Sequence, residues 1–142
     1  MTELAALMAA SGSWPILPTI CISTLEINTL PSGLPQTLRR YVIGECNRHQ
    51  PWQAVKTAYR SVQVVLKERP DVVISTGSFP LALFCIVSRL LGSKIVWIDS
   101  ISQIDGLSMS GRLIRPFADL FFVQWPELEN SYPGTRYEGE LV

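Results

Sequence analysis

The chain has 142 residues, of which 47% are hydrophobic and 17% are charged, and its 12 Lys and Arg balance 12 Asp and Glu. This length suits one globular domain, and a nucleic-acid-binding protein would normally carry a basic excess, so we expect no nucleic-acid partner. Three scattered cysteines and a single histidine have neither disulfide-framework nor metal-ligand spacing. We therefore expect reduced thiols, no metal site and no cofactor.

The start of the chain has no basic segment of the kind that opens a secretory signal. The longest apolar run covers residues 79–87, well short of the roughly 20 residues that a spanning helix needs. We therefore expect that the protein does not cross a membrane by itself.

Strand-like and helix-like segments alternate along the first half of the chain. Residues 16–22 and 41–43 are short apolar runs that predict two strands. Pro51 then opens a predicted helix that ends before Pro70, because proline is tolerated in a first helical turn but not in a helix interior. Apolar residues recur along this helix at helical spacing, and polar residues take the other face. The apolar residues are Trp52, Val55, Ala58, Tyr59, Val62, Val65 and Leu66, and the polar ones are Lys56, Arg60, Gln63 and Lys67.

The same alternation continues through the second half. Residues 71–75 form a compact apolar run that is typical of a buried parallel strand, and a turn at Thr76, Gly77 and Ser78 follows. The remaining predicted elements are a helix over 80–91, a strand over 94–98, a helix over 110–117, a strand over 120–123, a short helical piece after Pro126 and a strand over 136–138. This order predicts right-handed crossovers and a Rossmann-like parallel α/β sheet formed by a single domain over residues 1–142.

Ligands of such sheets bind beyond the carboxyl ends of the strands. The polar residues that follow the predicted strands are residues 45–48, including Asn47, then Thr76, Gly77 and Ser78, then Asp99 and Ser100, and finally Gln124 and Trp125. Polar strand ends also occur in proteins without a site there, so this pattern alone leaves both interpretations open.

Each cluster has a functional and a structural interpretation. Gly77 and the following helix N-terminus suit a diphosphate, although glycine is also common in turns after strands. Asp99 either takes a proton from a sugar hydroxyl or caps the following turn. Arg112 and Arg115 either meet phosphate oxygens or lie on a solvated helix face. The glycine motifs of dinucleotide and P-loop sites are absent, as are the simple metalloprotease and hydrolase motifs.

Five stretches resemble one known family: residues 69–77, 94–100, 107–112, 118–119 and 123–127, which include the strings L-S-M-S-G-R and V-Q-W-P-E. They are similar to the Alg-fourteen-like oligosaccharide biosynthesis proteins, including the bacterial exopolysaccharide subunits of the PssD type. Residues 45–48 resemble the bacterial branch in particular.

The resemblance implies the N-terminal, acceptor-binding half of a GT-B glycosyltransferase, a transferase that works with a separate donor-binding subunit. The pair would add a sugar from a nucleotide-sugar to a polyprenyl-diphosphate-linked saccharide, with the protein peripheral on the cytoplasmic face of the membrane. The catalytic candidate is then Asp99. The candidates for binding the acceptor and its diphosphate are Thr76, Gly77, Ser78, Ser100, Arg112 and Asn47.

The resemblance departs from the family at the start of the chain. Family members usually begin with an apolar strand and a Gly-Gly-His loop, whereas residues 2–8 here look like the helix that follows them. We therefore expect that the central first strand is lacking and that upstream codons encode it.

The segment 79–91 is apolar nearly all round, so it lies either in the core or against lipid, where Arg112 and Arg115 would help it bind anionic membranes. A non-catalytic scaffold for the donor-binding partner is the main alternative function. A nucleotide-sugar epimerase fragment is a weaker one, since a lone His49 makes its acid–base set hard to assemble.

Overall fold

The computed structural model describes residues 7, 18–25, 38–46 and 51–139. The elements with described bounds are, in chain order, β1 (Ile20–Ser23), β2 (Arg39–Val42), α1 (Pro51–Glu68), β3 (Val72–Ser75), α2 (Phe79–Leu90), β4 (Lys94–Ile98), α3 (Met109–Ile114), a 3-10 turn (Arg115–Phe117), β5 (Leu120–Val123), α4 (Pro126–Ser131) and β6 (Arg136–Tyr137).

All described strand pairs are parallel, which confirms the predicted Rossmann-like α/β sheet. Four strands pair in the order β3-β4-β5-β6, and β1 pairs with β2 in a separate two-stranded sheet. Ser75 lies opposite Trp97, and Ile98 lies opposite Phe122. The carboxyl ends of β3, β4 and β5 therefore meet at one edge of the larger sheet.

Helix α2 begins and ends where its local sequence directs it. Pro80 occupies the first turn, where its missing N–H costs no helical hydrogen bond. The helix ends at Leu90, and Gly92 follows with φ of +104°, a left-handed conformation that glycine adopts without strain. The Ser93 N–H then donates to the Ser88 carbonyl at 2.9 Å and turns the chain toward β4.

The structure changes several predicted boundaries. The predicted helix over 110–117 divides into α3 and the 3-10 turn because Pro116 has no N–H for an α-helical bond. The strand predicted over 41–43 occupies Arg39–Val42, although the Ile43 N–H still donates to the Ser23 carbonyl at 3.0 Å. Of the predicted strand over 16–22, the described part starts at Pro18, and of the predicted helix over 2–8 it includes only Leu7, which is helical.

The core has two neighbouring parts. In the larger part, α2 packs onto β4 and β5, with Cys85, Ile95, Trp97 and Val123 at 0–1% exposure. The smaller part joins α1, α2 and the segment after β2 through Val65, Phe84 and Ile43. Helix α2 therefore lies between the larger sheet and α1.

The segment 79–91 is thus a core helix, the first of its two predicted environments. Its buried residues are Pro80, Ala82, Phe84, Cys85 and Ser88. Exposure is confined to its last turn and the residues after it, including Leu90 and Leu91. The lipid-facing interpretation of this segment is not supported, since its apolar surface is already covered by protein. No helix within the described ranges is long and apolar enough to cross a bilayer.

Candidate functional site

The carboxyl edge of the larger sheet brings three of the predicted clusters together. The turn after β3, the residues after β4 and the residues after β5 leave neighbouring strands at the same level of the register. The Asp99 N–H also donates to the Phe122 carbonyl at 2.9 Å, which extends the β4–β5 pairing by one residue. Asn47 lies outside the described residues, so its predicted place at this edge stays a prediction.

The turn after β3 is left-handed over two residues. Gly77 has φ of +118°, and Ser78 follows with φ of +73° and ψ of 145°, a conformation that is costly for a residue with a Cβ. Ser78 is the N-cap of α2 but makes no side-chain cap hydrogen bond. The first turn of α2 therefore keeps its positive end without a side-chain cap, at the place where the sequence predicts a diphosphate.

Ser75, the last residue of β3, lies just below this turn. Its Oγ is buried without a hydrogen-bond partner of ordinary geometry. Burial raises the pKa of the adjacent Cys85 thiol to about 12, with the Ser75 hydroxyl acting in the opposite direction. The Cys85 thiol is therefore protonated at neutral pH and is a packing group rather than a nucleophile.

Asp99 is fully buried, and its carboxylate accepts two short hydrogen bonds from one residue. The Ser108 N–H donates to Oδ2 at 2.8 Å, and the Ser108 hydroxyl donates to Oδ1 at 2.5 Å. Trp97 Nε1 adds a longer contact to Oδ1 at 3.4 Å. Both carboxylate oxygens are thus engaged by the protein itself, at Ser108 rather than in the turn that directly follows Asp99.

Ser108 also binds the start of α3, so it links this helix to Asp99. Its Oγ accepts the Gly111 N–H at 2.8 Å as the N-cap of the helix, while its hydrogen goes to Asp99. Gly111 packs directly on the Asp99 carboxylate, because a Cβ at this position would lie 2.8–2.9 Å from the carboxylate oxygens. The stretch 107–112, which contributed to the family resemblance, therefore builds a buried junction between β4 and α3.

The segment between Asp99 and Ser108 forms the wall of an open depression of about 310 Å³ lined by residues 102–107 and Arg112. Hydrogen bonds within this segment and one from a neighbouring side chain hold the wall in place. Ser100 Oγ lies 3.0 Å from Ser102 Oγ, and Trp125 Nε1 donates to the Ile101 carbonyl at 2.9 Å. Trp125 thus positions this wall from β5, a role that its place after a strand did not specify.

Arg112 lies on the rim of the depression with an exposed side chain. Its Nε donates to the Leu107 carbonyl at 3.1 Å, which orients the guanidinium along the wall. Arg115 is directed elsewhere: its guanidinium donates to the Pro133 carbonyl at 2.5 Å and stacks over the Tyr132 ring at 5.6 Å. Of the two arginines, Arg112 is therefore the one placed to meet an anionic ligand.

Comparison with known families and proteins places these features in context. Residues 33–141 match the family described as "Oligosaccharide biosynthesis protein Alg14 like". The chain is 36% identical over 88 residues to the "UDP-N-acetylglucosamine transferase subunit ALG14" of Mus musculus, covering 58% of this chain and 41% of the relative. It is 30% identical over 112 residues to the subunit of the same name from Debaryomyces hansenii, covering 73% and 48%.

Among solved structures, the fold is similar to the crystal structure of Acinetobacter baumannii MurG, with a TM-score of 0.59 and 15% sequence identity. The likeness covers 74% of this chain and 32% of that one. It confirms the predicted Rossmann-like N-terminal half of a GT-B fold. The chain spans about two fifths to one half of the length of the curated relatives named above.

Proposed function

Because the chain belongs to the Alg14-like family of oligosaccharide biosynthesis proteins, we propose that it is the acceptor-binding subunit of a two-component glycosyltransferase. A separate donor-binding subunit completes the enzyme, as the word "subunit" in the names of its relatives supports. The pair transfers a sugar from a nucleotide-sugar to a polyprenyl-diphosphate-linked saccharide. We place the protein in the bacterial exopolysaccharide branch, peripheral on the cytoplasmic face of the membrane, with residues 1–142 as one acceptor-binding half-domain.

The uncapped start of α2 at the carboxyl edge of the sheet is the observation that carries this proposal. The backbone N–H groups after Gly77 and Ser78 attract negative charge, and Gly77 lets a ligand approach the backbone closely, since no atom lies within 4 Å of its missing Cβ. Arg112 adds a guanidinium from the next crossover along the sheet. These groups suit the diphosphate of a lipid-linked acceptor.

The Thr76 and Ser100 side chains are half-buried beside these groups, and the exposed Ser78 side chain completes the set. Hydroxyl groups at such positions can bond sugar hydroxyls or phosphate oxygens. They give the proposed cleft its polar lining without adding charge.

The role of Asp99 separates two forms of the proposal. As a general base it would take the proton of the attacking sugar hydroxyl, which requires a free carboxylate oxygen. Both oxygens instead bond Ser108, which favours a positioning role that holds the wall of the depression and the start of α3. The same contacts favour the alternative of a scaffold whose partner supplies the chemistry.

Reconstitution with the donor-binding subunit from the same host tests the proposal. We expect transfer from a radiolabelled nucleotide-sugar to polyprenyl-diphosphate-linked saccharide only when both subunits are present. Arg112→Ala should raise the acceptor KM while leaving donor binding unchanged, because the guanidinium meets only the acceptor. Full transfer by the donor-binding subunit alone would contradict an acceptor-binding role. The scaffold alternative would be supported if the chain stimulates transfer by the donor-binding subunit and Arg112→Ala leaves the acceptor KM unchanged.

A further inference from the structure

The Arg112 guanidinium reaches from α3 to the wall of the depression. Its Nε donates to the Leu107 carbonyl at 3.1 Å, which fixes the near end of the group. The far end lies against Gly106 of the wall: a Cβ at Gly106 would be 3.3 Å from Arg112 Nη2 and 3.2 Å from the Tyr132 hydroxyl oxygen. The guanidinium and the tyrosine hydroxyl therefore meet at one point of the wall.

The chemistry of this meeting point suits a stable contact. A guanidinium carries only donors, whereas a tyrosine hydroxyl oxygen can accept as well as donate. Asp105 lines the same depression, but within the described ranges no ion pair joins it to Arg112. Tyr132 therefore offers the guanidinium an uncharged neighbour, which leaves the positive charge of Arg112 available to a ligand.

Tyr132 is itself fixed from several sides, directly after the end of α4. Its ring packs against the larger part of the core, and the Arg115 guanidinium stacks over that ring at 5.6 Å. Its N–H donates to the Leu128 carbonyl at 2.9 Å, and its carbonyl accepts the Thr135 hydroxyl at 2.8 Å. The hydroxyl at the end of the ring is thus a fixed point against which the longer Arg112 side chain can be held.

We propose that Tyr132 is a positioning residue, whose hydroxyl holds the Arg112 guanidinium on the rim of the depression. Gly106 permits this contact because it has no Cβ to separate the two groups. An unrestrained arginine loses side-chain freedom when it binds an anion, whereas a guanidinium that is already held has little left to lose. Tyr132 therefore acts through Arg112 and needs no contact of its own with the ligand.

The mobility of the Arg112 side chain in the full chain tests this positioning without any sugar transfer. We expect NMR relaxation of the Arg112 Nε–H group to show restricted motion in the wild type. Tyr132→Phe keeps the ring and its stacking with Arg115 but removes the hydroxyl, so the order parameter of this group should fall below about 0.6, the range of flexible groups. Gly106→Ala should have the same effect, since its Cβ would push the guanidinium and the hydroxyl apart.

The reconstituted pair tests what the positioning does for the acceptor, and this part alone rests on the proposed function. Tyr132→Phe should raise the acceptor KM about threefold to tenfold without changing kcat or the melting temperature. In an Arg112→Ala background the same substitution should leave the acceptor KM unchanged, because no guanidinium is left to hold. A purely structural role of the hydroxyl would instead lower the melting temperature and act equally in both backgrounds.

Tyr137→Phe is the matched control, because Tyr137 is also half-buried and packs against the same part of the core. It should change neither the mobility of Arg112 nor the acceptor KM. The inference is overturned if Arg112 is equally mobile in the wild type and in Tyr132→Phe, or if Tyr137→Phe has the same effect. It is also overturned if Tyr132→Phe raises the acceptor KM as much in the Arg112→Ala background. If Arg112 loosens in Tyr132→Phe while the acceptor KM stays the same, the positioning is supported and the assignment of Arg112 to the acceptor is wrong.

Discussion

Helices α1 and α2 pack against each other, yet they distribute their apolar residues in opposite ways. Helix α2 is apolar almost all round and buries residues of every size, from Ala82 to Phe84. Helix α1 buries small or β-branched residues, and its bulky apolar side chains face outward. The difference shows that the apolar stripe of an amphipathic helix does not have to be its core-facing side. Small side chains let two helices approach closely, and the stripe is then left for another surface.

The largest expected effect concerns the buried side of this comparison. Phe84→Ala should lower the free energy of unfolding by about 3–5 kcal/mol, because Phe84 is 1% exposed and fills the smaller part of the core between α1 and α2. Tyr59→Ala, its aromatic counterpart on α1, should change it by no more than about 0.5 kcal/mol. Urea denaturation measures both. A similar loss for the two variants would mean that Tyr59 is packed against the protein in solution.

The next largest effect is expected at Asp99, whose carboxylate is buried. Asp99→Asn should cost about 2–3 kcal/mol of stability, because one of the two acceptors that face Ser108 becomes a donor. Turnover of the reconstituted pair would then fall together with the melting temperature. A general base predicts a different outcome, namely a loss of roughly 10²- to 10⁴-fold in kcat with an unchanged melting temperature. Unfolding and turnover measured on the same preparation separate the two roles.

A smaller effect on stability is expected at the contact between α1 and α2. Ser61→Leu should destabilise the protein by about 1–2 kcal/mol, since a fully buried position on the small-residue face has no room for three more carbons. Gln63→Leu places the same side chain on an exposed position of α1 and should be nearly neutral. If Ser61→Leu is also neutral, the helices do not approach as closely as described.

The smallest expected effect lies at the opposite edge of the sheet. Asp119 Oδ2 accepts the Ile95 N–H at 2.8 Å, and Arg89 and Lys94 lie 3.6 and 3.4 Å from Oδ1. The Ile95 hydrogen bond, and then the charges of Arg89 and Lys94, hold the pKa of Asp119 below its ordinary value of 3.8, although burial opposes them. A lowered pKa stabilises the fold above that ordinary value, and the contribution is lost as the pH falls through the folded-state value.

Asp119→Asn should therefore cost about 1 kcal/mol at neutral pH, a modest figure because the group is partly exposed to solvent. The difference between wild type and variant should shrink in acid, below the ordinary pKa of an aspartate. Unfolding midpoints measured across that range check the sign, and a difference that grows as the pH falls would contradict the assigned bonds.

How far the candidate site could be predicted depends on the range of the interactions involved. Thr76, Gly77 and Ser78 were predictable as a strand-to-helix turn, because glycine at the end of an apolar run is a local signal. The Asp99 bonds to Ser108 span nine residues, and no local pattern distinguishes a carboxylate that caps another segment from one that faces a ligand. Trp125 is a similar case, since its bond to the Ile101 carbonyl joins two crossovers.

The sequence by itself determined the order and type of the described elements and the parallel sheet. Continuous apolar runs bounded by turn residues place β3, β4 and β5 to within a residue. The expected burial of β3 is only partly correct, because Val72 and Ile74 on one of its faces are exposed. Only the tertiary structure decided which side of α1 meets the core and that Asp99 is enclosed. Periodicity fixes the relative angles of side chains around one helix, whereas burial depends on which neighbouring surface the helix meets.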